Sequence, residues 1–259
     1  METKQRKEQE FHDAAFNQGV RRQVSRFYLI MDSCHGFYRS HLRTHCPGSR
    51  VLEIGCGQDS NAFFMGKLGA AEVCGIDISN VAIAQAEQRA AREQIGGLKF
   101  SVMDAENLKF GDDSFDLICG VAILHHLDLD KALFHISRTL RPGGTAIFLE
   151  PLAHNPIVNL YRRLTPSLRT EDEHPLLMRD LENARKYFGK IDTTAFHLFS
   201  LAMAPFAGMP GFDRLVHLFD TSDQLLFKIA PYLRRFAWTM GIVFSEPKVR
   251  KAAQSASSN

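Results

Sequence analysis

The chain of 259 residues is poor in several features that would otherwise assign it a role at once. Its five cysteines, Cys34, Cys46, Cys56, Cys74 and Cys119, are odd in number and include no C-x-x-C pair. That spacing argues against a zinc site or a disulfide framework and fits reduced thiols in a cytoplasmic protein. No run of about 18 apolar residues occurs, so no spanning helix is expected. The opening METKQRKEQE is charged and has no apolar signal core. Charge of one sign is not in excess either. Thirty-one Lys and Arg against 29 Asp and Glu leave a formal charge of +2, and no basic stripe interleaved with aromatics appears, so no nucleic-acid partner is expected. Tryptophan is reduced to Trp238, against 20 phenylalanines. No repeat is visible. With 45% hydrophobic residues, the chain can bury one large domain, or a domain with an appended subdomain.

What is present is an alternation. Short apolar runs, RVLEIG, AEVCGIDIS, LKFSVMDA, GDDSFDLICGVA and TAIFLEP, are separated by helical patterns, SNAFFMGKLGA, NVAIAQAEQRAAREQ and LDKALFHISRTL. Ser79 or Asn80 caps the second of these helices, and RPGG stops the third. This rhythm predicts an α/β fold, a doubly wound and mostly parallel sheet with ligands beyond the carboxyl ends of the strands. Before it, Phe11 to about His45 has helical spacing. After Glu150 the regularity fades. Residues 151–175 carry several prolines and read as an inserted lid rather than a regular element. LMRDLENARKYFG reads as a helix ending at Gly189, KIDTTAFHLFSLAMAPF as a strand and an apolar helix, and residues 212–247 as two helices and a final strand. The boundaries are 1–46 for an N-terminal helical cap, 47–151 for the core, 152–246 for the lid and completion of the fold, and 247–259 for a disordered tail.

The first strand runs into VLEIGCGQDS, which has Gly55 and Gly57 but Ser60 where a dinucleotide turn would place its last glycine. Two acids, Glu53 and Asp59, flank it. Like charges 4 Å apart cost roughly 1 kcal/mol even in bulk water, so a pyrophosphate is disfavoured there. A ligand carrying an amino group and a sulfonium reverses the sign, and S-adenosylmethionine (SAM) carries both. Asp77, 20 residues after Gly57 and at the end of the second strand, suits two ribose hydroxyls. Asp104, at the end of the third, suits an adenine amino group. Asp59 reads as a helix cap that tolerates a nearby cation.

VLEIGCGQD, GIDIS, MDAENLKFGDDSFDLI, AILHHLDLDKAL and LRPGGTAIFLEP resemble, in order, the successive motifs of class I SAM-dependent methyltransferases of the small-molecule "methyltransferase type 11" group. The likeness covers residues 47–151. It implies a Rossmann-like, seven-stranded sheet and a cofactor site in which Glu53, Gly55, Cys56 and Gly57 hold the methionine end. It further implies Asp77 on the ribose, Ile78 against the adenine, Asp104 and Ala105 near the adenine amine, and Gly120, Val121 and His126 on the methionine side. Asp59 stands where the family often has a third glycine.

Methyl transfer needs alignment, exclusion of water and, for many acceptors, removal of a proton. His125, just past the fourth strand, is the first candidate base. Its ILH context is similar to that of phosphoethanolamine methyltransferases, which use such a histidine in proton transfer. No carboxylate accompanies it at E-x-x-H spacing, and no metal-binding spacing is present. His154, Tyr161 and His174 are further catalytic candidates in the lid, and Tyr28, His35 and Arg162 are candidates for the acceptor. The Phe-, Leu- and Met-rich residues 151–245 suit a hydrophobic or aromatic small-molecule acceptor, methylated on O, N or C. A homodimer and a peripheral contact with a membrane surface stay open. So do two other classes: a non-catalytic SAM-binding or assembly protein, and a nicotinamide-dependent oxidoreductase. RNA methylation is disfavoured by the missing basic stripe.

Overall fold

A computed structural model describes residues 29–165 and 174–249, together with Arg6, Gln9 and Asp13. Seven strands form one sheet in the order β3-β2-β1-β4-β5-β7-β6. They are β1 (Arg50–Ile54), β2 (Glu72–Asp77), β3 (Leu98–Val102), β4 (Phe115–Val121), β5 (Leu140–Pro151), β6 (Phe188–Phe196) and β7 (Thr239–Pro247). Only β7 runs antiparallel to its neighbours. The helices are α1 (Asp32–His45), α2 (Ala62–Lys67), α3 (Asn80–Glu93), α4 (Leu129–Thr139), α5 (Pro156–Leu164), α6 (Met178–Asn183) and α7 (Phe212–Ile229). Short 3₁₀ turns join several of them.

Both faces of the sheet are covered, which is why its central strands are mostly apolar on both sides. Leu52, Ile54, Ala146 and Phe148 face a layer holding Leu133 and Ile136 of α4. Their alternates Val51, Ile147 and Leu149 face Cys34, Tyr38 and Leu42 of α1 and Met65 of α2. Each such large apolar side chain contributes about 1.5–3 kcal/mol when fully buried. A third, small cluster unites Ile30, Leu201, Ala204, Phe212 and Val216, with Val158 of α5 and Trp238 packed on it. It joins the segments inserted after β5 and β6 to Ile30, just ahead of α1.

The strands and capped helices expected for 50–151 are present. Ser79 caps α3 by accepting Ala82 N–H at 3.1 Å. RPGG lies inside β5, where the pairing with β4 jumps from Phe115–Leu140 to Leu117–Thr145, so the strand begins at Leu140, just ahead of the turn rather than after it.

Three expectations are corrected. Residues 156–164 are helical, because Asn155 accepts the N–H groups of Ile157 and Val158, both at 3.0 Å, and Pro156 occupies the first helical position, where no N–H is needed. Gly189 ends no helix. α6 stops at Asn183 and Gly189 lies within β6, pressed against Glu246 of β7. Thirdly, the start of the expected tail is pinned, since Lys248 N–H donates to Tyr187 O at 2.9 Å and Val249 N–H to Ser137 Oγ at 3.2 Å. The rest of that tail, and the greater part of residues 11–28, lie outside the described residues.

Candidate active site

Three N–H groups of the glycine turn after β1, those of Gly57, Asn61 and Ala62, donate to carboxylates. Glu53 is buried. Its Oε1 accepts Asn61 N–H at 2.8 Å and Asn61 Nδ2 at 3.2 Å. Its Oε2 accepts the Ser60 hydroxyl and Ala62 N–H at 3.1 Å. A carboxylate has about four acceptor positions, and all four are filled. Burial pushes the Glu53 pKa upward, and the four donors oppose that. Glu53 thus closes the first turn of α2. Asp59 is exposed and caps nothing; the N-cap of α2 is Asn61. The expected Asp59 cap is replaced because Glu53 and Ser60 already satisfy those N–H groups.

Gly57 N–H donates to Asp77 Oδ2 at 2.9 Å, and Ser79 N–H to Asp77 Oδ1 at 2.9 Å. Each Asp77 oxygen thus keeps one acceptor position, which suits a vicinal diol. Ile78 is half-buried beside it, and Cys56 is buried in the turn. The Cys56 thiol is pushed well above its ordinary pKa by burial and by Glu53 and Asp77. The Cys34 and Cys46 thiols are raised to about 12. Thiols so protonated are poor nucleophiles. Asp104 caps the 3₁₀ turn Ala105–Asn107, accepting Glu106 N–H at 2.8 Å, with Ala105 buried behind it.

Gly55 (φ +66°) and Gly120 share one neighbour. A Cβ on Gly55 would stand 2.7 Å from Ile123 Cδ1, and one on Gly120 would stand 2.8 Å from Ile123 Cγ2 and 2.9 Å from Ile54 O. Both glycines therefore admit the Ile123 side chain where β1 and β4 end, a packing demand the sequence reading missed. Val121 is half-buried at the same edge.

These residues fit SAM and not a pyrophosphate. A phosphate site needs free N–H groups, and here the N–H groups of Gly57, Asn61 and Ala62 are spent on Asp77 and Glu53. What remains at the ends of β2 and β3 is acceptor, matching hydroxyl and amino donors. Among the described residues no cluster of His, Cys, Asp and Glu could hold a metal ion.

Past β4 the chain turns through Ala122, whose φ is +52°, into the 3₁₀ turn Leu124–His126. Glu150, completely buried at the end of β5, organises this turn. Its Oε1 accepts Ile123 N–H at 2.9 Å and Leu124 N–H at 2.8 Å. Its Oε2 stands 2.8 Å from His125 Nδ1. An ionised carboxylate can only accept, so in this pairing Nδ1 is the donor. Sequence reading found no carboxylate for His125 because it searched neighbouring positions, whereas the partner lies 25 residues on. The missed signal is that Glu150 is also an acid at the carboxyl end of a strand, like Asp77.

Three further histidines lie near this edge. His126 is half-buried, its ring centroid 4.2 Å from that of His125. His174 is exposed, and its N–H donates to His125 O at 3.1 Å. His154 lies half-buried in the turn after β5, beside Ala153, whose N–H bonds Leu176 O at 3.0 Å. Tyr161 and Arg162 are half-buried on α5. His35, on α1, lies near His197 at the end of β6, and burial lowers its pKa. Tyr28 lies outside the described residues. The sequence reading also missed His197, a buried residue whose Nδ1 is 3.2 Å from both Asp220 Oδ1 and Ser200 Oγ.

Residues 52–148 match the family model described as "Methyltransferase domain". Over that segment the chain is similar to class I SAM-dependent methyltransferases, whose cofactor is SAM. Over 128 residues it is 31% identical to phthiotriol/phenolphthiotriol dimycocerosates methyltransferase 1 of Mycobacterium ulcerans, covering 49% of this chain and 46% of that one. Over 140 residues it is 30% identical to the O-methyltransferase cnsE of Penicillium expansum, covering 51% of each. The chain thus spans about half the length of the curated relatives it matches. A structure of phosphoethanolamine N-methyltransferase 2 from Haemonchus contortus shares the fold at 20% identity, with a TM-score of 0.56, over 78% of this chain and 50% of that one.

Proposed function

We propose that the chain methylates a hydroxyl group on a large apolar acceptor, with His125 as general base and Glu150 as the group that positions it. The observation that carries this reading is the 2.8 Å contact of His125 Nδ1 with the buried Glu150. SAM, when bound, supplies an activated methyl on a sulfonium and needs no further activation. Asp77 binds the ribose diol with its remaining acceptor positions, and Asp104 and Ala105 meet the adenine edge. With SAM bound, His125 Nε2 would take the hydroxyl proton and so ready the oxygen to accept the methyl group that SAM would supply. The products are a methyl ether, S-adenosylhomocysteine and a proton held by the imidazole. Glu150 stabilises that imidazolium and fixes the ring's orientation. His154, His174, Tyr161 and Arg162 line the acceptor side. An apolar acceptor is supported by the half-buried and exposed aliphatic residues of the inserted segments, and by the relatives named for dimycocerosate and O-methyl transfer.

Calorimetry with SAM and S-adenosylhomocysteine tests the cofactor, and failure of both to bind would overturn the whole reading. Methyl transfer from labelled SAM to a panel of phenols and long-chain secondary alcohols tests the acceptor. His125→Ala is expected to lower turnover at least about a hundredfold while leaving cofactor affinity within about threefold. A variant that keeps wild-type turnover across the pH range would remove His125 as base.

A further inference from the structure

The helix α7 is apolar on two opposite faces, and among the described residues only one has a partner. Phe212, Val216 and Phe227 point into the fold. Leu215, Leu218, Leu225 and Ile229 recur at spacings of three, seven and four, so they form one stripe along the helix. They are between 44 and 73% exposed. Four large aliphatic side chains in line, on a helix of 18 residues, are not the scattered exposure of an ordinary surface. α5 has the same character. Ile157, Leu160 and Leu164 are exposed on it, while its Val158 packs into the small cluster that also holds Phe212 and Val216 of α7.

The charges beside the stripe have one sign. Arg214 and Lys228 flank it and are exposed, and neither pairs with a carboxylate among the described residues. Two of the helix's three carboxylates are turned inward. Asp220 bonds His197, and Asp223 accepts the N–H groups of Leu198, Phe199 and Ser200. Asp213, at the first turn, is the exposed one.

We infer that the outer face of α7 lies on an anionic lipid surface, in the plane of the interface, with its leucines in the acyl boundary and Arg214 and Lys228 on lipid phosphates. This is the pattern of an interfacial amphipathic helix. No helix among the described residues is long and apolar enough to cross a membrane, so the contact is peripheral. A second copy of the chain is the other candidate occupant, and charge opposes it. An antiparallel two-fold pairing of α7 with its copy, centred on the stripe, sets Arg214 against the Lys228 of that copy. An anionic bilayer satisfies both. The inference does not depend on methyl transfer.

The test is sedimentation of the full chain with vesicles of phosphatidylcholine alone, or of equal parts phosphatidylcholine and phosphatidylglycerol, at low and high salt. Binding to the anionic vesicles, weakened by salt, is expected. Leu218→Gln with Leu225→Gln, and separately Arg214→Glu with Lys228→Glu, should each reduce it at least about tenfold. All these side chains are exposed, so circular dichroism and the thermal midpoint should stay at wild-type values. Failure of the wild type to pellet with anionic vesicles would overturn the inference, as would equal binding by either variant. So would a dimer in analytical ultracentrifugation that Leu218→Gln with Leu225→Gln dissolves, because the stripe's partner would then be another copy.

Discussion

Glu150 carries more of the site than any residue with an assigned chemical step. One carboxylate fixes two backbone N–H groups and one imidazole, so its two functions separate by substitution. Glu150→Ala leaves those donors buried and unpaired. It should cost about 3–5 kcal/mol, which in a domain this size lowers the thermal midpoint by roughly 10 °C. Glu150→Gln keeps an acceptor for the N–H groups and removes the charge behind His125. It should retain most of the stability, as followed by thermal unfolding, while turnover falls well below wild type. Equal losses of stability in the two variants would show that Glu150 only packs. Asp77→Ala should weaken SAM binding in calorimetry by at least tenfold, about 1.4 kcal/mol, and unchanged affinity would remove the ribose assignment. Glu53 gives a lesson about charge read from sequence. Its sign was noticed, but not that Ser60, Asn61 and Ala62 absorb it. It still excludes a pyrophosphate, by occupying the donors such a ligand would need.

At the scale of elements, the core strands were legible because each is a short apolar run between capped helices, and both signals are local. α5 was not, because Pro156 and its polar residues look like a loop until Pro156 is placed at the first helical position behind Asn155. That asparagine also joins the inserted segments, donating from Nδ2 to Phe236 O at 2.8 Å. Asn155→Ala should therefore cost about 1–2 kcal/mol, more than an isolated cap. Limited proteolysis should cut within 152–165 sooner, and an unchanged cleavage rate would count against the cap as the fastener. The His125–Glu150 pair was illegible for a different reason. It depends on the register of β4 on β5, in which Val121 faces Leu149, and no pattern within a single strand encodes that register.

For the whole molecule, burial lowers the pKa of His35, His41, His45 and His135. The unfolded chain takes up these protons near pH 6.5 while the folded chain resists them, so stability is lost as pH falls through about 6.5. The thermal midpoint should drop between about pH 7 and about pH 5, and His35→Gln should flatten part of that drop. A level midpoint would show that these imidazoles protonate in place. The long reach of the fold also has a consequence in time. Phe37 of α1 lies over Gly241 of β7, its Cε1 only 2.4 Å from where a Cβ would be, and 5.5 Å from the ring of Phe196. The first helix of the sheet layer is thus seated on the last strand, about 200 residues later. At a synthesis rate of 5–20 residues per second, that strand follows roughly 10–40 s behind. During that interval the nascent chain must carry part of α1's apolar face uncovered, which makes this helix the natural point for a chaperone to hold it.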